Sequence, residues 1–151
     1  MKSLSDCAHC CKKYERTQKW ANAGEKGLTY SLENVPKLEI EKWKIDGCVL
    51  KENDLNKCDY LMVIKKRSTC YWIDLKDQDL DYACLQIFSA FNSIKEARTY
   101  KRHLARIVLG RFNEDRNRID NLRYVNFKKL INLIGGKQNV WYKTKIIEEK
   151  L

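Results

Sequence analysis

Between Lys57 and Lys76 the chain sets acidic side chains inside two short apolar runs. One is Lys57-Cys58-Asp59-Tyr60-Leu61, continuing to Ile64, and the other is Thr69 to Lys76, which ends Tyr71-Trp72-Ile73-Asp74-Leu75-Lys76. Nearly unbroken apolar runs of this length are what a buried strand shows. The basic stretch Lys65–Ser68 separates them as a turn, so the pair predicts an antiparallel hairpin. The period then switches: Leu80, Cys84, Ile87, Phe91 and Ile94 recur at helical spacing beside Ala83 and Ala90. Asp77 or Asp79 can cap that helix, a carboxylate there accepting from free amides at the positive end of the dipole. A hairpin that feeds a helix restricts the chain to a layered α/β arrangement.

The remaining elements fit that class. Strand-like texture covers Leu28–Glu33, Leu38–Leu50 and His103–Phe112, with turn-prone residues at Lys51–Asn56. A polar connection at Asn113–Asp120 leads to an amphipathic helix over Val125–Ile134, stopped by Gly135 and Gly136. Asn139–Lys145 reads as a last strand with a frayed charged end. The first 27 residues show little periodicity and read as irregular, with one short helix over Lys12–Ala21. At 151 residues this is a single domain, with an irregular segment 1–27, a core 28–112 and a basic part 113–151 around a mixed central sheet flanked by helices.

The net charge of +10 is segregated. Residues 1–97 hold 16 Lys/Arg against 15 Asp/Glu, and residues 98–151 hold 14 against 5. A basic segment of that size attracts polyanions by releasing their counterions, which makes nucleic acid the expected partner class. Arg98, Lys101, Arg102, Arg106 and Arg111, with His103 among them, are the expected phosphate contacts. The opening MKSLSDCAHCCKK has no apolar core of signal-peptide type, and no run reaches the ~18 to 20 apolar residues of a membrane span. The expectation is a cytoplasmic protein with no membrane contact. Seven cysteines, an odd number, then read as reduced thiols.

Chemistry concentrates on the hairpin. Residues two apart on a strand share a face, so Asp74 and Lys76 project together, opposite Ile73 and Leu75. Asp59 reaches the same neighbourhood if the two strands pair. Converging carboxylates repel unless a cation neutralises them. Mg²⁺ is held by one or two carboxylates plus waters and phosphate oxygens, which matches this inventory. A lysine alongside can orient the attacking water and balance transition-state charge. Asp46, in an apolar context upstream, is a further candidate metal group, against a plain Asp-Gly turn. Gln86 lies on the flank of the helical stripe, about 120° from its centre at ~100° per residue, where it can reach the same end of the sheet.

In order and spacing, Asp59, then Asp74-Leu75-Lys76, then the helix from about Asp79 to Ser93, resemble the PD-(D/E)XK or restriction-endonuclease-like nuclease superfamily. The resemblance covers roughly residues 40–112 and is nearest to small stand-alone bacterial members of unassigned role. Cys58 stands where the motif has proline, and the second acid is Asp where many members carry Glu. The resemblance implies a restriction-endonuclease-like core, Mg²⁺ or Mn²⁺ as cofactor, and hydrolysis of nucleic acid, DNA rather than RNA, in phage defence or DNA repair. Asp59 and Asp74 would hold metal, and Lys76 and Gln86 would complete the catalytic group.

Other features carry less. Cys7, Cys10 and Cys11 with His9 lack the second ligand pair that a closed zinc site needs. Trp72 shares strand parity with Asp74, which places it near the active face. No Gly-rich phosphate loop or Ser-His-Asp set is present. The rival readings are an inactive nucleic-acid-binding subunit of the same fold and a protein-interaction module encoded beside a larger enzyme. A homodimer would let two sites address two strands.

Overall fold

The acid-bearing hairpin forms because its two runs can bury both faces. In the computed structural model, which describes residues 1–53, 56–111 and 124–151, β5 (Tyr60–Ile64) pairs antiparallel with β6 (Thr69–Lys76), Tyr60 opposite Ile73 and Ile64 opposite Thr69. The turn is a short 3-10 segment, Lys65–Arg67, closed by Ser68 in the left-handed region. The helix α1 (Leu80–Ser93) follows, and Asp79 caps it by accepting from Tyr82 N–H at 2.9 Å. It crosses over to β7 (Arg102–Leu109), which lies parallel to β6 with Thr69 opposite Arg102 and Lys76 opposite Leu109.

A second crossover uses α2 (Val125–Ile134) and returns to β8 (Val140–Thr144), parallel to β7. Gly135, at φ 89°, supplies the left-handed C-cap. The start of α2 has no cap of its own. Asp81 of α1 supplies one, accepting from the backbone N–H groups of Asn126 and Phe127 at 3.1 Å each. The connection expected at Asn113–Asp120 lies outside the described residues.

The other edge of the sheet corrects the expected irregular N-terminus. In place of a helix over Lys12–Ala21 there are two strands, β1 (Cys11–Tyr14) and β2 (Trp20–Glu25), preceded by a 3-10 segment at Leu4–Cys10. β1 pairs with β4 (Ile40–Lys44), which in turn pairs with β5. The expected strand at Leu38–Leu50 is thus shorter and ends before the Asp46–Gly47 turn. The six-stranded mixed sheet runs β1-β4-β5-β6-β7-β8. A smaller sheet has order β2-β3-β9, with β3 at Leu28–Glu33. Its third strand, β9 (Ile146–Lys150), is the tail expected to fray; it is held parallel to β3 and buries Ile147.

Strand parity divides the core in two. Leu61, Val63, Cys70, Trp72, Ile107 and Leu109 face α1 and α2. Met62, Ile64, Tyr71, Ile73, Leu104 and Val108 face the small sheet. The result is three layers: helices, mixed sheet, small sheet. Among the described residues no helix is long and apolar enough to cross a membrane.

Arg106 shares parity with Leu104 and Val108 and so points between the two sheets, 7% exposed. It forms a two-pronged ion pair with Glu149 of β9, and Tyr30 Oη also donates to that carboxylate at 2.7 Å. This overturns its expected role as a phosphate contact, because its charge is already spent holding the layers together. Trp72 is likewise no stacking platform. It is fully buried beneath α1, and its Nε1–H donates to His103 Nδ1 at 3.1 Å. The thiols are not all reduced: Cys10 and Cys48 are joined as a disulfide, their Cα atoms 5.8 Å apart, and five cysteines are free. The cysteine count therefore no longer argues for a reducing compartment.

Candidate functional site

The register of the hairpin sets the site. The β5–β6 ladder ends at Tyr60 opposite Ile73, and the residue before it, Asp59, comes to lie beside Asp74, which shares the helix-side parity of Cys70 and Trp72. Asp59 N–H donates to Ile73 O at 3.1 Å, and one Asp59 carboxylate oxygen accepts from Leu75 N–H at 2.6 Å. Asp74 is 1% exposed, and its Oδ2 has no hydrogen-bond partner among the described residues. A buried carboxylate oxygen with no partner is costly, and native proteins rarely leave one without a purpose.

Electrostatics agrees with the geometry. Burial first, then the charge of Asp59, pushes Asp74 well above the usual carboxylate range. Asp59 rises from 3.8 to about 6, again chiefly through burial, with Glu25 and Asp46 adding to the rise. Two crowded, desolvated carboxyls, close enough to share a hydrogen bond when one is protonated, suit a hard divalent cation, which would stabilise both in ionised form. Hard oxygen donors are the right chemistry for Mg²⁺ or Mn²⁺. Among the described residues no third acid, His or Cys joins this pair in a group whose ligand atoms all lie within 4.8 Å of one another, so waters and substrate oxygens would complete the shell.

Lys76 lies two residues beyond Asp74 on the same face. Its Nζ donates to Gln86 Oε1 at 3.1 Å and sits 4.1 Å from the centre of the Tyr82 ring. Gln86 and Tyr82 are both on α1, so the crossover helix holds the ammonium over the end of β6. Asp46 lines the same cleft but leans on Lys57 at 3.3 Å, half exposed. The cleft has a volume of about 530 Å³.

Four of its lining groups escaped the sequence reading: Glu25, Lys26, Asp77 and Lys145. Glu25 and Lys26 lie at the β2–β3 turn, and Lys145 lies where the chain passes from β8 to β9. They arrive through packing of the small sheet, which no local pattern announces. Asp77 had a nearer clue, since it directly follows Lys76. Gly110 N–H donates to Lys76 O at 2.8 Å, and a Cβ at Gly110 would come within 2.8 Å of Asp77 Oδ1 and 3.0 Å of its carbonyl oxygen. The close approach of these two strand ends therefore requires glycine.

The expected phosphate contacts separate into three groups. Arg111 stands beside the cleft, paired with Asp77 at 2.9 Å. Arg106 is buried between the sheets. Arg98, Lys101 and Arg102 are exposed at the opposite end of β6 and β7, away from the acids.

The cluster at Cys7, His9, Cys10 and Cys11 holds no second metal centre of the kind a closed zinc site requires. His9 does approach Cys10 and Cys48, but the disulfide uses both sulfurs. No family model, no curated protein and no solved structure matches this chain.

Proposed function

We propose that the chain is a metal-dependent nuclease of the restriction-endonuclease-like kind, with DNA as the favoured substrate and phosphodiester hydrolysis as the reaction. The observation that carries this reading is the buried carboxyl pair of Asp59 and Asp74, with Asp74 Oδ2 lacking a hydrogen-bond partner among the described residues, in a cleft that Lys76 also lines. The order of elements adds support: hairpin, crossover helix and parallel strand follow one another as the resemblance of Asp59, Asp74-Leu75-Lys76 and α1 to that superfamily implies.

Asp59 and Asp74 would hold Mg²⁺ or Mn²⁺. Such a cation, when bound, supplies charge neutralisation and Lewis acidity toward a phosphate oxygen. Lys76, fixed by Gln86, places a positive charge where negative charge develops as a water oxygen bonds to phosphorus and the bond to the leaving sugar oxygen breaks. Gln86 positions the ammonium; it is a positioning residue, not the base. Asp46, paired with Lys57 in the same cleft, adds its charge to the field at Asp59 and is the further acid available to the ion.

The test is incubation with plasmid, linear duplex, single-stranded DNA and RNA in Mg²⁺, Mn²⁺ or EDTA. Cleavage should need metal and vanish in Asp74→Asn and Lys76→Ala. Cleavage that survives either substitution, or none on any substrate, contradicts the reading.

A further inference from the structure

The cleft is poorly equipped to draw in a polyanion unaided. Five carboxylates line it, those of Glu25, Asp46, Asp59, Asp74 and Asp77, against the three ammonium groups of Lys26, Lys76 and Lys145. With Asp74 kept protonated by burial, Asp46 paired with Lys57 and Asp77 with Arg111, its charges nearly balance, so it exerts little long-range pull on a phosphate backbone. Attraction has to come from elsewhere on the molecule.

At the opposite end of the mixed sheet two basic segments meet. The β5–β6 turn brings Lys65, Lys66 and Arg67, and the approach to β7 brings Arg98, Lys101 and Arg102, all six exposed. Ser68 fastens the segments together. Its carbonyl accepts from Lys101 N–H at 3.1 Å and Arg102 N–H at 3.0 Å, and its Oγ accepts from Lys101 N–H at 3.0 Å. Of the six, Lys65 is ion-paired, with Glu41; among the described residues the other five have no carboxylate within ion-pair distance. Cations gathered by backbone bonds and left without counter-charges form an electrostatic footprint for phosphates. Thr69, beside this patch, is five residues from Asp74 along β6, or about 17 Å at ~3.3 Å per residue. The patch and the cleft therefore touch different phosphates.

We propose that Lys66, Arg67, Arg98, Lys101 and Arg102 form a second, metal-independent nucleic-acid-binding surface that anchors the strand away from the acidic cleft. The inference rests on nucleic acid being the ligand, and it does not require hydrolysis.

Fluorescence anisotropy in EDTA with a labelled duplex of about 30 base pairs, over a salt series, tests it. The Lys66→Gln/Arg67→Gln/Arg102→Gln variant should bind more weakly at every salt concentration. Its log–log salt slope should be shallower by about 2 to 3, since each lost phosphate contact removes about 0.9. Lys26→Gln/Lys145→Gln, at the cleft, should lower the affinity and the salt slope less than the triple variant does. With metal present, the triple variant should show a raised KM and an unchanged kcat. A triple variant that binds like the parent, or a loss confined to the cleft variant, overturns the proposal. So does a parent chain that binds phosphatidylserine vesicles but not the duplex. Patch-dependent binding in EDTA with no cleavage in any metal would sink the hydrolytic reading and leave this one standing.

Discussion

Replacing Asp74 by asparagine should stabilise the metal-free protein increasingly from about pH 4 upward and remove its response to divalent cations. In the folded chain Asp59 releases its proton at about 6 instead of 3.8, chiefly because it is buried, and Asp74 is pushed up further by burial and by Asp59. For an acid whose folded pKa is raised, the folded state keeps a proton that the unfolded state has already lost. Stability then falls as pH rises through that window, and the whole penalty is present above the folded pKa. For Asp59 the window closes near 6, and at about 1.4 kcal/mol per tenfold change in proton affinity the loss is at most about 3 kcal/mol. Asp74 carries the decline to higher pH. The Asp74→Asn variant would keep the Asp59 contribution and lose the second one.

Urea unfolding followed by tryptophan fluorescence, between about pH 4 and about pH 9, reads this directly. The parent midpoint should keep falling past pH 6 and recover in Mg²⁺. The variant should level off near pH 6 and ignore Mg²⁺. Superimposable profiles, or equal stabilisation of both proteins by Mg²⁺, would refute the argument that Asp74 is a buried charge awaiting a cation.

Two further outcomes follow from the packing. Arg106→Met strands Glu149 between the sheets and should cost about 3 to 5 kcal/mol in unfolding free energy, because breaking one half of a buried pair is strongly destabilising. Duplex affinity of the folded fraction should not change. Cys48→Ala opens a loop closed across 38 residues and should cost up to about 4 kcal/mol under oxidising conditions. Reductant should bring the parent to the same midpoint, whereas a parent insensitive to reductant would mean that the disulfide contributes nothing to stability.

Much of the site was readable because it rests on local rules. Strand parity alone joins Asp74 to Lys76, and the pairing of the hairpin brings Asp59 to its end, where it accepts from Leu75 N–H. The apolar stripe and Asp79 mark α1 nearly to the residue, and Gly135 ends α2 where expected. What escaped depends on partners far away in the chain. β1 and β2 bury few side chains, so their periodicity is weak, and β1 is recognisable as a strand only once Cys11 stands opposite Trp43. The polar tail Ile146–Lys150 gains its place from β3, more than a hundred residues earlier. For Arg106, strand parity outweighs charge. An arginine on the same face as Leu104 and Val108 in a buried strand needs an internal acid, and Glu149 is that acid. The same long-range docking delivers Glu25, Lys26 and Lys145 to the cleft.

A divalent-cation site built by Asp59 and Asp74 together is what the proposed chemistry requires. Titration of the full chain with Mn²⁺ at about pH 8, following free ion by electron paramagnetic resonance, tests it most directly. Saturable binding is expected, displaced by Mg²⁺ and abolished by Asp59→Asn and by Asp74→Asn. Binding that persists in both variants, or no saturable binding by the parent, would contradict it.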